Sequence, residues 1–237
     1  MAIYKTPDVY VDEISIFPPS VAEVETAIPA FIGYTEKADR AGIDLNLKPT
    51  RISSMIEFES LFGYGPPLVV TDVSLSDSNT FKKAEITSKY FLYDSMRLFY
   101  SNGGGDCYIV SVGVYSSSAI DDTELTAGLD ALRKYDEPTI ILYPDAVSLT
   151  GIKLYTLQKS TLIQCNDLKD RVGVFDLKKE GTPVATKPYI ATDPIADFRD
   201  NLGVSNLKYG MSYTPWLNIT LKKNVTYADL KPYITKS

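Results

Sequence analysis

A chain of 237 residues with 44% hydrophobic and 23% charged side chains has room for one sizeable α/β domain and an extended appendage, not for two full domains. Its formal net charge of -6 argues against a protein that wraps nucleic acid, because neutralising phosphates requires a surplus of Lys and Arg. Histidine is absent, which removes Ser-His-Asp and Cys-His nucleophile systems, nearly all catalytic zinc sites and the usual proton shuttle at neutral pH. A non-enzymatic protein without cofactor is the expectation. No apolar run approaches the roughly 20 residues needed to cross a bilayer. Met1 to Tyr10 also lacks the charged-then-apolar pattern of a secretion signal, so synthesis in the cytoplasm without membrane insertion is expected.

The first twenty residues read as an arm. Thr6 to Ser15 carries β-branched and aromatic residues at strand spacing, with Val9 and Val11 facing one way and Tyr10 and Ile14 the other. Pro18 and Pro19 then end the strand, since proline donates no backbone hydrogen bond and holds the chain extended. A lone strand must pair with a sheet in its own domain or in a neighbour. The predicted compact region is 21–237, after an arm over 1–20.

Ile28 to Tyr34 reads as a buried strand and Thr50 to Ile52 as a short one. Ser54 with Glu57 has capping-box form and predicts a helix to about Phe62, closed by Gly63. Residues 64–84 read as loop or edge hairpin. From residue 86 a helical stretch is predicted, with Leu92, Met96 and Phe99 on one face and Asn102-Gly103-Gly104-Gly105 at its end. Then come a strand at Cys107 to Val112, a helix capped by Asp121 or Asp122 with Leu125, Leu129 and Leu132 as its stripe, and a strand at Thr139 to Tyr143. A helix from about Ser148 to Cys165 leads to a strand at Arg171 to Asp176. After a polar loop, Asp193 caps a short helix opened by Pro194, and Tyr209 to Leu221 reads as a last strand region anchored by Trp216, with no closing element after it. Near-continuous apolar strands separated by helices predict an α/β fold, a mainly parallel sheet with helices on both faces.

Candidate chemistry is sparse. The glycine run 102–106 follows a helix and precedes a strand, the reverse of a phosphate loop, and reads as a helix C-cap. Asp145 and Asp176 fall at the carboxyl ends of predicted parallel strands, where open α/β sheets bind ligands. Two such carboxylates could hold Mg²⁺ in a metal-dependent α/β hydrolase, or cap the segments that follow them. Cys107 and Cys165, with no CxxC spacing, read as buried free thiols. The 17 tyrosines suit subunit contacts, with the core or its rim as the alternative.

Three N-terminal segments resemble the start of contractile tail sheath proteins, particularly those of phage-tail-like particles, the extracellular contractile injection systems. They are Tyr4-Lys5-Thr6-Pro7-Asp8-Val9-Tyr10-Val11-Asp12-Glu13-Ile14, Phe17-Pro18-Pro19-Ser20-Val21 and Ala27-Ile28-Pro29-Ala30-Phe31-Ile32-Gly33-Tyr34-Thr35. Phe99 to Tyr108, Asp170 to Asp176, Asn206 to Gly210 and Pro215-Trp216-Leu217 extend the resemblance in the same order. Asp8 stands where the family usually has Gly.

The resemblance implies a subunit of stacked, commonly six-fold rings around an inner tube, bounded by baseplate and tail-terminator proteins. Its terminal strands would add to sheets of adjacent subunits. Tyr4, Pro7, Val9, Tyr10, Val11 and Ile14 would form the inter-subunit arm, with Pro18 and Pro19 as its hinge. Such a sleeve assembles in the bacterial cytoplasm, belongs to a virion-like or released particle, and contracts without nucleotide to drive the tube through a target envelope. Family members carry a variable outer domain and a C-terminal sheath domain further along, absent from these 237 residues. A non-contractile scaffold of a similar particle is the neighbouring alternative.

Overall fold

The computed structural model describes residues 27–75, 80–116, 118–185, 187–223 and 225–234. The predicted arm and its Pro18-Pro19 hinge lie outside them.

In chain order the elements are β1 (Pro29–Thr35), the two-residue strands β2 (Asp39–Arg40) and β3 (Ile43–Asp44), β4 (Thr50–Ile52), α1 (Met55–Phe62), β5 (Val69–Leu75) and β6 (Phe81–Thr87). Then follow α2 (Leu92–Ser101), β7 (Cys107–Val114), α3 (Asp122–Leu132), β8 (Ile140–Leu142), a 3₁₀ turn (Pro144–Ser148), α4 (Lys153–Leu168) and β9 (Val172–Asp176). The last are β10 (Lys179–Glu180), β11 (Ile190–Ala191), α5 (Pro194–Leu202), β12 (Gly210–Tyr213) and α6 (Tyr227–Leu230). The central sheet runs β12-β9-β8-β1-β7-β4. Every pair in it is parallel except β4 with β7. Counted along the chain, the five parallel strands take the doubly wound order 2-1-3-4-5.

Period-two alternation along β1 builds a core on each face. Ala30 and Ile32 face Val110, Leu125, Leu129 and Leu154, while Phe31 faces Phe58, Phe62, Leu92 and Met96. Helices α1 and α2 thus cover one face, and α3, α4 and α5 the other. Gly128 lets α3 approach: a Cβ there would lie 2.6 Å from Ile32 Cγ2 and from Val112 Cγ1. We expect Gly128→Ala to destabilise the fold by about 1–3 kcal/mol despite alanine's better helix propensity, measured by urea denaturation.

Local signals hold where the cap is local. Ser54 accepts from the Glu57 N–H at 3.2 Å, although the Glu57 carboxylate reaches back to Ser53 N (3.0 Å) rather than to the cap residue. Asp121 and Asp193 cap α3 and α5. Four predicted boundaries are corrected. Residues 86–87 belong to β6, paired in a separate hairpin with β5, and α2 opens only at Leu92. Helix α4 opens at Lys153, not Ser148, because Gly151 turns the chain at φ +59°. The strand predicted to reach Leu221 stops at Tyr213, ahead of Pro215, which has no N–H for a ladder. Finally, α6 follows it, opened by a Thr226–Asp229 capping box.

Candidate functional site

In this strand order the topological switch point lies between β1 and β8, and its crevice opens at their carboxyl ends. Asp145 fills that place. The 3₁₀ turn after β8 buries its side chain fully. Oδ2 accepts from Tyr34 N at 2.7 Å, and Oδ1 accepts from Phe91 N at 2.5 Å and Leu92 N at 3.0 Å. The last two donors belong to the N-terminus of α2, where other doubly wound proteins place a ligand's phosphate. Gly33 makes the room: a Cβ there would lie 2.5 Å from Asp145 Oδ2. Burial pushes the carboxyl up to about 6, against the pull of its three backbone donors.

Asp176 lies elsewhere in function. It is an exposed residue at the end of β9, whose carboxyl is nonetheless desolvated enough by its surroundings to have its pKa raised. Among the described residues no group of three or more His, Cys, Asp or Glu side chains could hold a metal ion. Both Asp145 oxygens accept backbone N–H groups, so the geometry gives that residue a cap's role.

Asp176 borders a crevice of about 900 Å³ running between α2 and the β8–β9 half of the sheet. Leu98 and Phe99 form one wall, Leu142 and Val174 the floor, and Gly103 to Asp106 one end. The glycine run is a C-cap, as predicted: Gly104 N donates to Phe99 O at 2.9 Å, and Gly103 sits at φ +83°.

Cys107 and Cys165 are buried free thiols, both pushed up to about 11 by burial. Several tyrosines act inside the chain. Tyr34 donates to Glu124, Tyr93 to Glu59 at 2.7 Å, Tyr108 to Glu137 at 2.7 Å and Tyr155 to Asp197 at 2.5 Å. Each pair joins two different segments, and burial followed by the hydrogen bond to the carboxylate raises each phenol. Separations of 29 to 90 residues leave no local signal from which these pairs could be read. The predicted arm residues Tyr4, Pro7, Val9, Tyr10, Val11 and Ile14 lie outside the described residues.

No protein-family model matches the sequence, and no curated protein matches it. Among solved structures the chain is similar to one in the cryo-EM structure of the anti-feeding prophage (AFP) baseplate in contracted state, with a TM-score of 0.51 and 18% identity. The match covers 89% of this chain and 47% of that one, so the chain spans less than half its length. At that identity, what the two share is the fold.

Proposed function

We propose that this chain is a structural subunit of a contractile injection system, specifically the α/β body of a tail sheath protein. The observation that carries the reading is the fold it shares, over 89% of its length, with a chain from a contracted phage-tail-like particle. The sheath-like segments between Tyr4 and Leu217 support the finer assignment. In this role the subunit stacks with copies of itself around an inner tube, between baseplate and terminator proteins. The body turns as a near-rigid unit while strands exchanged between neighbours keep the mesh intact. The work comes from surface buried on contraction, so no cofactor takes part and Asp145 is a structural cap.

The arm supplies the test. Among the described residues every strand of the central sheet begins at or after Pro29, and on the strand-exchange reading deleting residues 1–17 is expected to leave the unfolding midpoint nearly unchanged. The same deletion in the sheath-forming protein is expected to abolish sleeves in negative-stain electron microscopy. Changing both Val9 and Val11 to Asp should act in the same direction, because carboxylates cannot enter a dry strand interface. Normal sleeves from the truncated protein would sink the strand-exchange account. The matched structure is a baseplate, which favours a second reading as a baseplate component. Antibody label at the particle tip alone, rather than along its shaft, would select it.

A further inference from the structure

The two faces of the sheet are unequally covered. On β8 and β9, Ile141 and Phe175 point under α4 and are buried, 0% and 3% exposed. Their neighbours Leu142 and Val174 point the other way and are only half-buried. One strand further out, Met211 and Tyr213 sit opposite Val174 and Asp176 and are 40% and 72% exposed. Helix α2 covers β1 on this side, and beyond it Leu142, Val174 and Met211 stay part-exposed. The crevice is the gap that results.

We infer that this uncovered half-face is a docking slot for one amphipathic helix of another polypeptide, with an apolar stripe against Leu142 and Val174 and a basic residue meeting Asp176. This goes beyond the sheath reading and stands without it. A helix is required because β9 is paired on both edges, to β8 and β12. A guest on the face finds no backbone partner there and must satisfy its own N–H and C=O groups internally. The slot follows α2 from Ser95 to Asn102, so about two turns of guest lie alongside it. Gly103 and Gly105 leave open space at its end.

Charge sets the guest's sign. No Lys or Arg lines the crevice, whereas Asp106 and Asp176 do. Asp106 is paired with Arg51 at 2.5 Å; among the described residues no basic side chain meets Asp176. No described residue after β12 lines the slot. After β12, Trp216 stacks on Tyr189 with centroids 5.5 Å apart, the Lys222 carbonyl accepts from Arg97 and Lys223 pairs with Asp94, and Ile234 bridges to Val73 of β5.

The probe is a synthetic helical peptide of about 14 residues with leucines on one face and lysines on the other, and a control with glutamates for lysines. Fluorescence anisotropy is expected to show one-to-one binding of the lysine peptide and none of the control. Val174→Asp adds negative charge yet should weaken binding by about tenfold or more, because the new carboxylate sits on the slot's floor. Leu98→Asp, on the opposite wall, should do the same and guards against a folding defect in the first variant. Asp176→Asn should weaken binding about threefold, the scale of a single rim ion pair. Unchanged binding to both floor and wall variants, or equal binding of the glutamate peptide, overturns the proposal. So does a chain that sediments as a dimer dissociated by Val174→Asp, which makes a second copy the occupant. Peptide binding that appears only after residues 1–26 are removed overturns it too, by assigning the slot to the chain's own N-terminal segment.

Discussion

Replacing Asp145 with alanine is expected to destabilise the fold by about 3–5 kcal/mol, measured as a fall in the urea midpoint at unchanged slope. Three N–H groups, of Tyr34, Phe91 and Leu92, lose their acceptor in a place sealed from solvent. One is on β1 and two open α2, so the loss loosens the contact between a central strand and the helix covering it. Asparagine keeps the volume and a carbonyl oxygen for the α2 donors, but turns an NH₂ group toward Tyr34 N–H. Two donors then face each other, and we expect a cost of about 1–2 kcal/mol at pH 7. A residue held for metal binding would behave oppositely, since removing its charge relieves a buried anion.

The same carboxyl gives stability a pH slope of known sign. Its folded pKa of about 6 lies above the ordinary value near 3.9, so the folded chain holds the proton more tightly. The contribution is fully present below about pH 4 and fades as pH rises through 6, by on the order of 3 kcal/mol. Asp121 and Asp170 are shifted down, by bonds to Thr123 and to Arg171 respectively, and slope the other way. The difference between wild type and Asp145→Asn isolates the one group. That gap should widen from pH 7 toward pH 4. A gap that narrows would mean the three donors hold the carboxylate ionised more strongly than burial opposes it.

Asp145 also marks the boundary of what the sequence discloses. Helices whose caps lie next to them could be placed: Ser54, Asp121 and Asp193 each sit one residue before the element they cap. The start of α2 could not, because Phe91 has no side-chain cap of its own and the capping carboxylate comes 54 residues later. The buried strands were legible as apolar runs, and the Leu125, Leu129 and Leu132 stripe as a helix face. Coverage was not, since Leu142 and Val174 are as apolar as Ile141 and Phe175. Exposure there depends on which helices the topology sends to that side. The partners of the tyrosines were hidden in a similar way. Their abundance alone does not disclose that Tyr34, Tyr93, Tyr108 and Tyr155 are tied to carboxylates of the same chain.

Those ties bear on the proposed role. A subunit that reorients as a unit needs its layers fixed to one another, and the phenol–carboxylate pairs join β1 to α3, α2 to α1 and α4 to α5. Charge-assisted hydrogen bonds are short and about twice as strong as neutral ones. Packing alone leaves helices freer to slide over a sheet.

Arg171 makes the strongest such tie, and its loss is the second large effect we expect. Its side chain is fully buried at the entry to β9. Nη1 donates to Leu132 O at 3.2 Å and Nη2 to Tyr135 O at 2.8 Å, both just past the end of α3's helical ladder, while Nε donates to Asp170 at 2.7 Å. A cation at the carbonyls of a helix C-terminus is favoured by its dipole. Leu132 O also takes the Tyr135 N–H at 3.0 Å, and the planar fork joins it, Tyr135 O and Asp170 at once. Arg171→Met should therefore cost about 3–5 kcal/mol, since it removes charge-assisted hydrogen bonds to Leu132 O, Tyr135 O and Asp170 together. Arg171→Lys should cost about 2–3 kcal/mol, because an ammonium cannot span the same acceptors and keeps its charge in a dry site. Asp170→Ala should cost less, about 1–2 kcal/mol, as that carboxylate is 38% exposed and α3's carbonyls still hold the cation. If lysine is tolerated within about 0.5 kcal/mol, a point charge suffices at this position and the fork does not fasten β9 to α3.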